Sequence, residues 1–175
     1  MSDNRIEGYA RGLFEIARAE GAIDTVEDEL FQFARSYESN DALRNALTDE
    51  QIPAARRQTS VEDLLGTQAS TITMQLVSMV IGSGRGRDLP AIVDNLVARA
   101  SATKQLEVAE VRTAVPLTTD QHVRLKAALV NATGKQLNMK VVVDPSLLGG
   151  IVATVGDTVI DGSVRTRIDQ LKSRL

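Results

Sequence analysis

The apolar residues of this chain change period once, near residue 104, and that change restricts it to folds in which helices come first and strands follow. Residues 3–103 repeat apolar positions every three or four residues, the spacing of amphipathic helices. A first helix is expected over 4–19, with Ile6, Tyr9, Ala10, Leu13 and Ala17 on one stripe and Gly21 stopping it. Asp24 is expected to cap a second helix, with Glu27 completing a capping-box-like pair and Val26, Leu30, Phe33, Ala34 and Tyr37 as its apolar face. The acidic run Glu27, Asp28, Glu29 then falls in the first turn, where the helix dipole favours negative charge. Helices at 41–47 and 53–65 (ended by Gly66), a fifth over 67–81, and a sixth over 89–103 capped by Asp88 complete a six-helix bundle.

Beyond residue 104 the pattern is that of a small α+β unit. "LEVAEVRTAVP" and "MKVVVD" read as strands, rich in β-branched residues with partial alternation. Between them Thr118 and Gln121 form a capping box for a helix whose Leu125, Ala128, Leu129 and Ala132 line one face, closed by Gly134. The fold class is therefore mainly α with a C-terminal α+β part, a small mixed sheet with helices. The expected domains are 1–104 and 105–175, without a Pro/Gly/Ser linker between them.

Composition removes several chemistries. Without cysteine there is no disulfide, iron–sulfur cluster, thiolate zinc site or cysteine nucleophile, and one histidine argues against a histidine metal site. No cofactor is expected. Aromatic residues are 3% of the chain and Trp is absent, so Leu, Val, Ile and Ala must build the core. A net charge of -3 argues against nucleic acid as main partner, and Arg85 and Arg87 in "GRGR" lack the interleaved aromatics of a nucleic-acid site. His122 reads as a surface residue. The opening "MSDNRIEGYA" lacks the basic start and apolar core of a signal peptide, and the longest nearly apolar run, 74–81, is too short to span a bilayer. A soluble, cytoplasmic protein is expected. No nucleophile–base spacing of a known triad motif is present.

The glycine-rich stretch "DPSLLGGIVATVGDTVIDGS" invites a phosphate-cradle reading, but it lacks the Lys of a P-loop and the spacing of a dinucleotide fingerprint. Its glycines read as turns. Asp144 and Pro145 start one tight helical turn over 146–148, and Gly149 and Gly150 supply conformations that side chains resist. A strand over 151–155, a two-residue turn at Gly156 and Asp157, and a return strand over 158–160 make a hairpin. Gly162 marks the start of a final helix, capped by Asp161 or Ser163, with Val164, Ile168, Leu171 and Leu175 as its seam.

The segment "KVVVDPSLLGGIVATVGDTVIDGSVRTRIDQLKSRL", preceded by "AVPLTTDQHVRLKAAL", resembles the C-terminal region of the δ subunit family of bacterial F-type ATP synthase, which includes the mitochondrial oligomycin-sensitivity-conferring protein. "GYARGLFEIARAEGAID" is similar to that family's opening helix and "GRGRDLPAIVDNL" to its sixth, so the resemblance spans essentially the whole chain. Arg5 lies four residues before Tyr9, a little further than the family often places its arginine. The resemblance implies a non-catalytic stator subunit at the cytoplasmic face of the cell membrane, one copy per complex, with no membrane insertion and no nucleic acid. Its helical part would hold the N-terminal segment of an α subunit on the catalytic head, and its C-terminal part the b subunits of the peripheral stalk. It would thereby resist rotor torque during proton-driven ATP synthesis.

The fifth helix is apolar on two faces: Ala69, Ile72, Leu76, Met79 and Val80 form one stripe, and Met74, Val77 and Ile81 another. The resemblance points to a groove between the first and fifth helices, with Tyr9, Leu13, Met74, Val77 and Ile81 as expected contacts. Arg165 and Arg167 sit where a helix dipole disfavours cations, which suggests acidic partners, either Asp157 or Asp161 or a stalk subunit.

Overall fold

The computed structural model describes residues 2–66 and 68–162. They form seven helices, a short 3-10 turn and a four-stranded mixed sheet, helical first and with the sheet at the C-terminal side. The helices are α1 (Ser2–Ala19), α2 (Ile23–Ser39), α3 (Asp41–Thr48), α4 (Ala54–Leu65), α5 (Thr71–Gly82), α6 (Leu89–Thr103) and α7 (Thr119–Thr133). The strands are β1 (Glu107–Thr113), β2 (Leu137–Val143), β3 (Ile151–Val155) and β4 (Thr158–Asp161). Two compact units result, Met1–Ala100 and Ser101–Leu175. The boundary thus falls inside the last turn of α6, four residues before the expected one.

In the first unit Leu13, Leu30, Phe31, Tyr37, Leu47, Ile81, Ile92 and Leu96 are almost wholly buried. All the aromatic rings of the chain (Tyr9, Phe14, Phe31, Phe33 and Tyr37) lie in α1 and α2. The Tyr37 hydroxyl donates to the Gly86 carbonyl at 2.8 Å, and burial pushes its pKa up. Gly86 is a packing requirement: an added Cβ would stand 2.9 Å from Ile81 Cδ1 and 3.0 Å from Thr48 Cγ2. The "GRGR" segment is therefore a packed turn before α6, in which Arg85 pairs with Asp88 at 3.2 Å.

Two expectations about α2 need correction. Asp24 does not cap it, because the helix starts two residues earlier, after Ala22, with no side-chain cap. The cause is the tight end of α1, where Gly21 at φ 65° lets Ala22 N–H return to the Ala17 carbonyl at 2.9 Å. Ala22 is then both the tail of one helix and the start of the next, and its carbonyl accepts from Val26 N–H at 2.9 Å. Glu27 consequently lies past the first turn and is 1% exposed, not solvated. Glu29 reaches a different helix altogether. Its carboxylate accepts from the Ser70 N–H at 2.9 Å and the Ser70 hydroxyl at 2.7 Å, at the N-terminus of α5. With Ser70 as its cap, α5 starts later than the sequence suggests; Thr67 lies outside the described residues.

The second unit has strand order β2-β1-β3-β4. α7 connects the parallel pair β1 and β2, whereas β3 runs antiparallel to β1 and makes a hairpin with β4. Ala109, Val111, Leu137, Met139, Ala153 and Val155 pack against Leu129, with Leu125 and Val130 beside them. Ala128 and Ala132 face outward, so the buried stripe of α7 is narrower than its alanines suggested. The Thr118–Gln121 capping box forms, and Gly134 closes α7 at φ 68°.

Gly149 and Gly150 stand at φ 134° and 84°, and Gly156 at φ 56°. Val155 pairs with Thr158, leaving Gly156 and Asp157 as the two-residue turn. Positive φ is confined to Gly156, the first central position, as in a type II′ turn. The expected tight turn forms, slightly earlier than 146–148: Leu147 N–H returns to the Asp144 carbonyl at 3.1 Å. The Asp144 carboxylate accepts from the Ser146 N–H at 2.9 Å, and the left-handed Gly149 prevents a helix from following. Gly162 N–H still bonds to the Ile151 carbonyl at 2.9 Å, so it extends the hairpin. The expected final helix, with Val164, Arg165 and Arg167, lies outside the described residues.

Candidate docking groove

One exposed stripe of α1 carries mostly glycine and apolar side chains. Arg5, Gly8, Tyr9, Gly12 and Ile16 follow one another at helical spacing, and with Met79 of α5 they line an open groove of about 330 Å³. Ile16 and Met79, large apolar side chains, are 41% and 42% exposed. Tyr9 is half-buried. Glycine inside a helix costs about 0.5–1 kcal/mol relative to alanine. Nothing among the described residues requires that cost here, since an added Cβ at Gly8 or Gly12 meets nothing within 4 Å. The glycines flatten the floor of the groove, as needed where another backbone approaches closely.

Among the side chains expected to meet a partner, Tyr9 lines the groove, while Leu13, Val77 and Ile81 are 0% exposed and serve the core. Met74 is half-buried and is not among the lining residues. The buried face of α5 is Thr73, Leu76, Val77, Val80 and Ile81, which leaves Met79, expected in the core stripe, on the surface. Thr71 and Gln75, exposed one turn apart, mark the outer face of α5, and Met79 one turn further stands on it. Gly8, Gly12 and Ile16 were missed, although a G-x-x-x-G spacing within a helical pattern was visible in "GYARG". Asp157 and Asp161 are exposed at the hairpin; Arg165 and Arg167 lie outside the described residues.

Among the described residues no group of three or more His, Asp or Glu side chains is set to hold a metal, and no helix is long and apolar enough to cross a membrane. Gly21, Gly84, Gly134, Gly149, Gly150 and Gly156 stand at positive φ, among the described residues.

These features define a class: a helical unit with an open apolar groove, followed by a small mixed-sheet unit. The chain belongs to the ATP synthase delta (OSCP) subunit family, whose model matches residues 6–175. The ATP synthase subunit delta of Streptomyces avermitilis is 43% identical over 159 residues, covering 91% of this chain and 58% of that protein. The Nocardia farcinica protein of the same name is 40% identical over 175 residues, 100% of this chain and 65% of its own length. The chain thus spans less than two thirds of these two relatives. It covers 92% of the Desulforudis audaxviator ATP synthase subunit delta, at 32% identity over 167 residues. A chain in the Toxoplasma gondii mitochondrial ATP synthase hexamer has a similar fold, with a TM-score of 0.56 and 22% identity, over 97% of this chain and 96% of that one.

Proposed function

We infer that this protein is a non-catalytic stator subunit of an F-type ATP synthase, peripheral at the cytoplasmic face of the membrane. The helical domain, 1–104, holds the N-terminal segment of an α subunit, and the α+β domain, 105–175, joins the b subunits of the peripheral stalk. Tension through this link resists rotor torque, so that rotation is converted into ATP synthesis. Family membership over residues 6–175 supports the assignment. The single observation that carries the α-subunit assignment is the open groove between α1 and α5. An amphipathic helix laid into it would cover Ile16 and Met79, the helix-in-groove mode of recognition. Arg165 and Arg167 are proposed contacts of the stalk side.

Calorimetric titration of the folded chain with a peptide from the N-terminus of the α subunit of the same organism tests this. Saturable binding is expected, and it should be abolished by Gly12→Leu, which fills the groove floor. A well-folded chain that binds no peptide rules the α-subunit role out. Co-purification with b subunits, lost on joint replacement of Arg165 and Arg167 by Glu, tests the stalk role.

A further inference from the structure

We propose that the groove selects its helical partner by a carboxylate: an acidic side chain of the incoming helix, held jointly by the Arg5 guanidinium and the Tyr9 hydroxyl. This deepens the α-subunit reading and rests on it. Arg5 and Tyr9 are four residues apart on α1, hence neighbours on one face, and both line the groove. Each carries donors, and among the described residues neither has a protein acceptor. Of the acidic residues of α1 whose side chains are described, Glu7 pairs with Arg99 at 3.3 Å and Glu15 with Arg18 at 3.2 Å. The facing helix α5 contributes no charge at all.

The position of Arg5 is also poor for the helix itself. It stands near the start of α1, where the macrodipole favours anions and disfavours cations. An incoming carboxylate reverses that penalty, since it meets both the guanidinium and the positive end of the helix. The rest of the groove is apolar or glycine, so this one polar station would also fix the register and direction of the incoming helix. The partner is thus an amphipathic helix with an apolar seam and an acidic residue at the end that lies over Arg5. An exposed ion pair contributes little, but one covered by a docked helix and shared with a hydroxyl is a charge-assisted, partly desolvated contact.

A coupling experiment on the full chain tests the proposal. The probe is a fluorescently labelled peptide of about twenty residues, long enough for about 30 Å of helix, from the N-terminus of the α subunit. A matching set replaces each Asp or Glu by its amide. Arg5→Gln is expected to weaken binding of the unmodified peptide about tenfold, an exposed and unpaired site leaving thermal unfolding unchanged. One amide peptide should lose a similar factor with the wild-type chain and lose nothing further with Arg5→Gln. Tyr9→Phe should weaken the unmodified peptide several-fold and that amide peptide not at all. Undiminished binding by Arg5→Gln, or amide losses that add in full to its loss, overturns the carboxylate inference and leaves the groove assignment intact. Absence of binding by the wild-type chain overturns both.

Discussion

Glu29 shows how one side chain can hold an element that its own helix does not contain. Burial pushes its pKa up, but hydrogen bonds from the Thr73 and Ser70 side chains and the Ser70 N–H outweigh this and hold it below the usual carboxylate value. A carboxyl with a lowered folded-state pKa contributes stability above its unfolded value, and that contribution is lost as pH falls through the folded value. Urea unfolding should therefore show a component of stability lost between about pH 4.5 and more acid solution, and Glu29→Gln should remove that component. At neutral pH the same variant is expected to cost about 1–2 kcal/mol, the scale of a charge-assisted helix cap. Gly12 has the opposite signature. Its Cβ space is empty, so Gly12→Ala should stabilise the isolated chain by about 0.5–1 kcal/mol in the same assay. The gain should come with weaker binding of the α-subunit peptide, a conflict between stability and docking confined to one methyl group.

Elements were legible in the sequence wherever their determinants are local. The Thr118–Gln121 box, the left-handed Gly134 and the Gly156-Asp157 hairpin each depend on residues within a few positions, and each forms as expected. The start of α5 depends on Glu29, 41 residues away in sequence, and no local pattern reveals that partnership. The rotation of α5 was legible in its polar residues and not in its apolar ones: Thr71, Gln75 and Ser78 recur at helical spacing and mark the outer face on which Met79 stands, while Val77 goes in. The groove was legible in its helices but not in its lining. A further device at the end of α6 was unannounced. Gln105 takes the left-handed conformation at φ 58°, while the N–H groups of Gln105 and Leu106 return to the carbonyls of Ala102 and Ser101. This is the geometry that helix ends ordinarily give to glycine. Gln105→Gly is expected to stabilise the protein by about 0.5–1 kcal/mol, read as a raised midpoint in chemical denaturation.

At the scale of the whole molecule, the break inside α6 separates two cores built from different materials. A fragment ending at residue 104 contains the whole first unit and all of α6. It should fold alone, with a helical far-ultraviolet spectrum and a single cooperative transition; a molten, non-cooperative fragment would show that the first core depends on the second. The division has an optical consequence. Every aromatic ring belongs to the first two helices, and there is no tryptophan, so the near-ultraviolet signal of the protein originates entirely in the first unit. The sheet unit is dark at those wavelengths. Tyr37, 1% exposed, serves as a built-in reporter of unfolding, whereas Tyr9, in the groove wall, senses whatever lies against it. Tyrosine emission from the unlabelled chain can thus follow the arrival of a helix lacking aromatic residues, without any added dye.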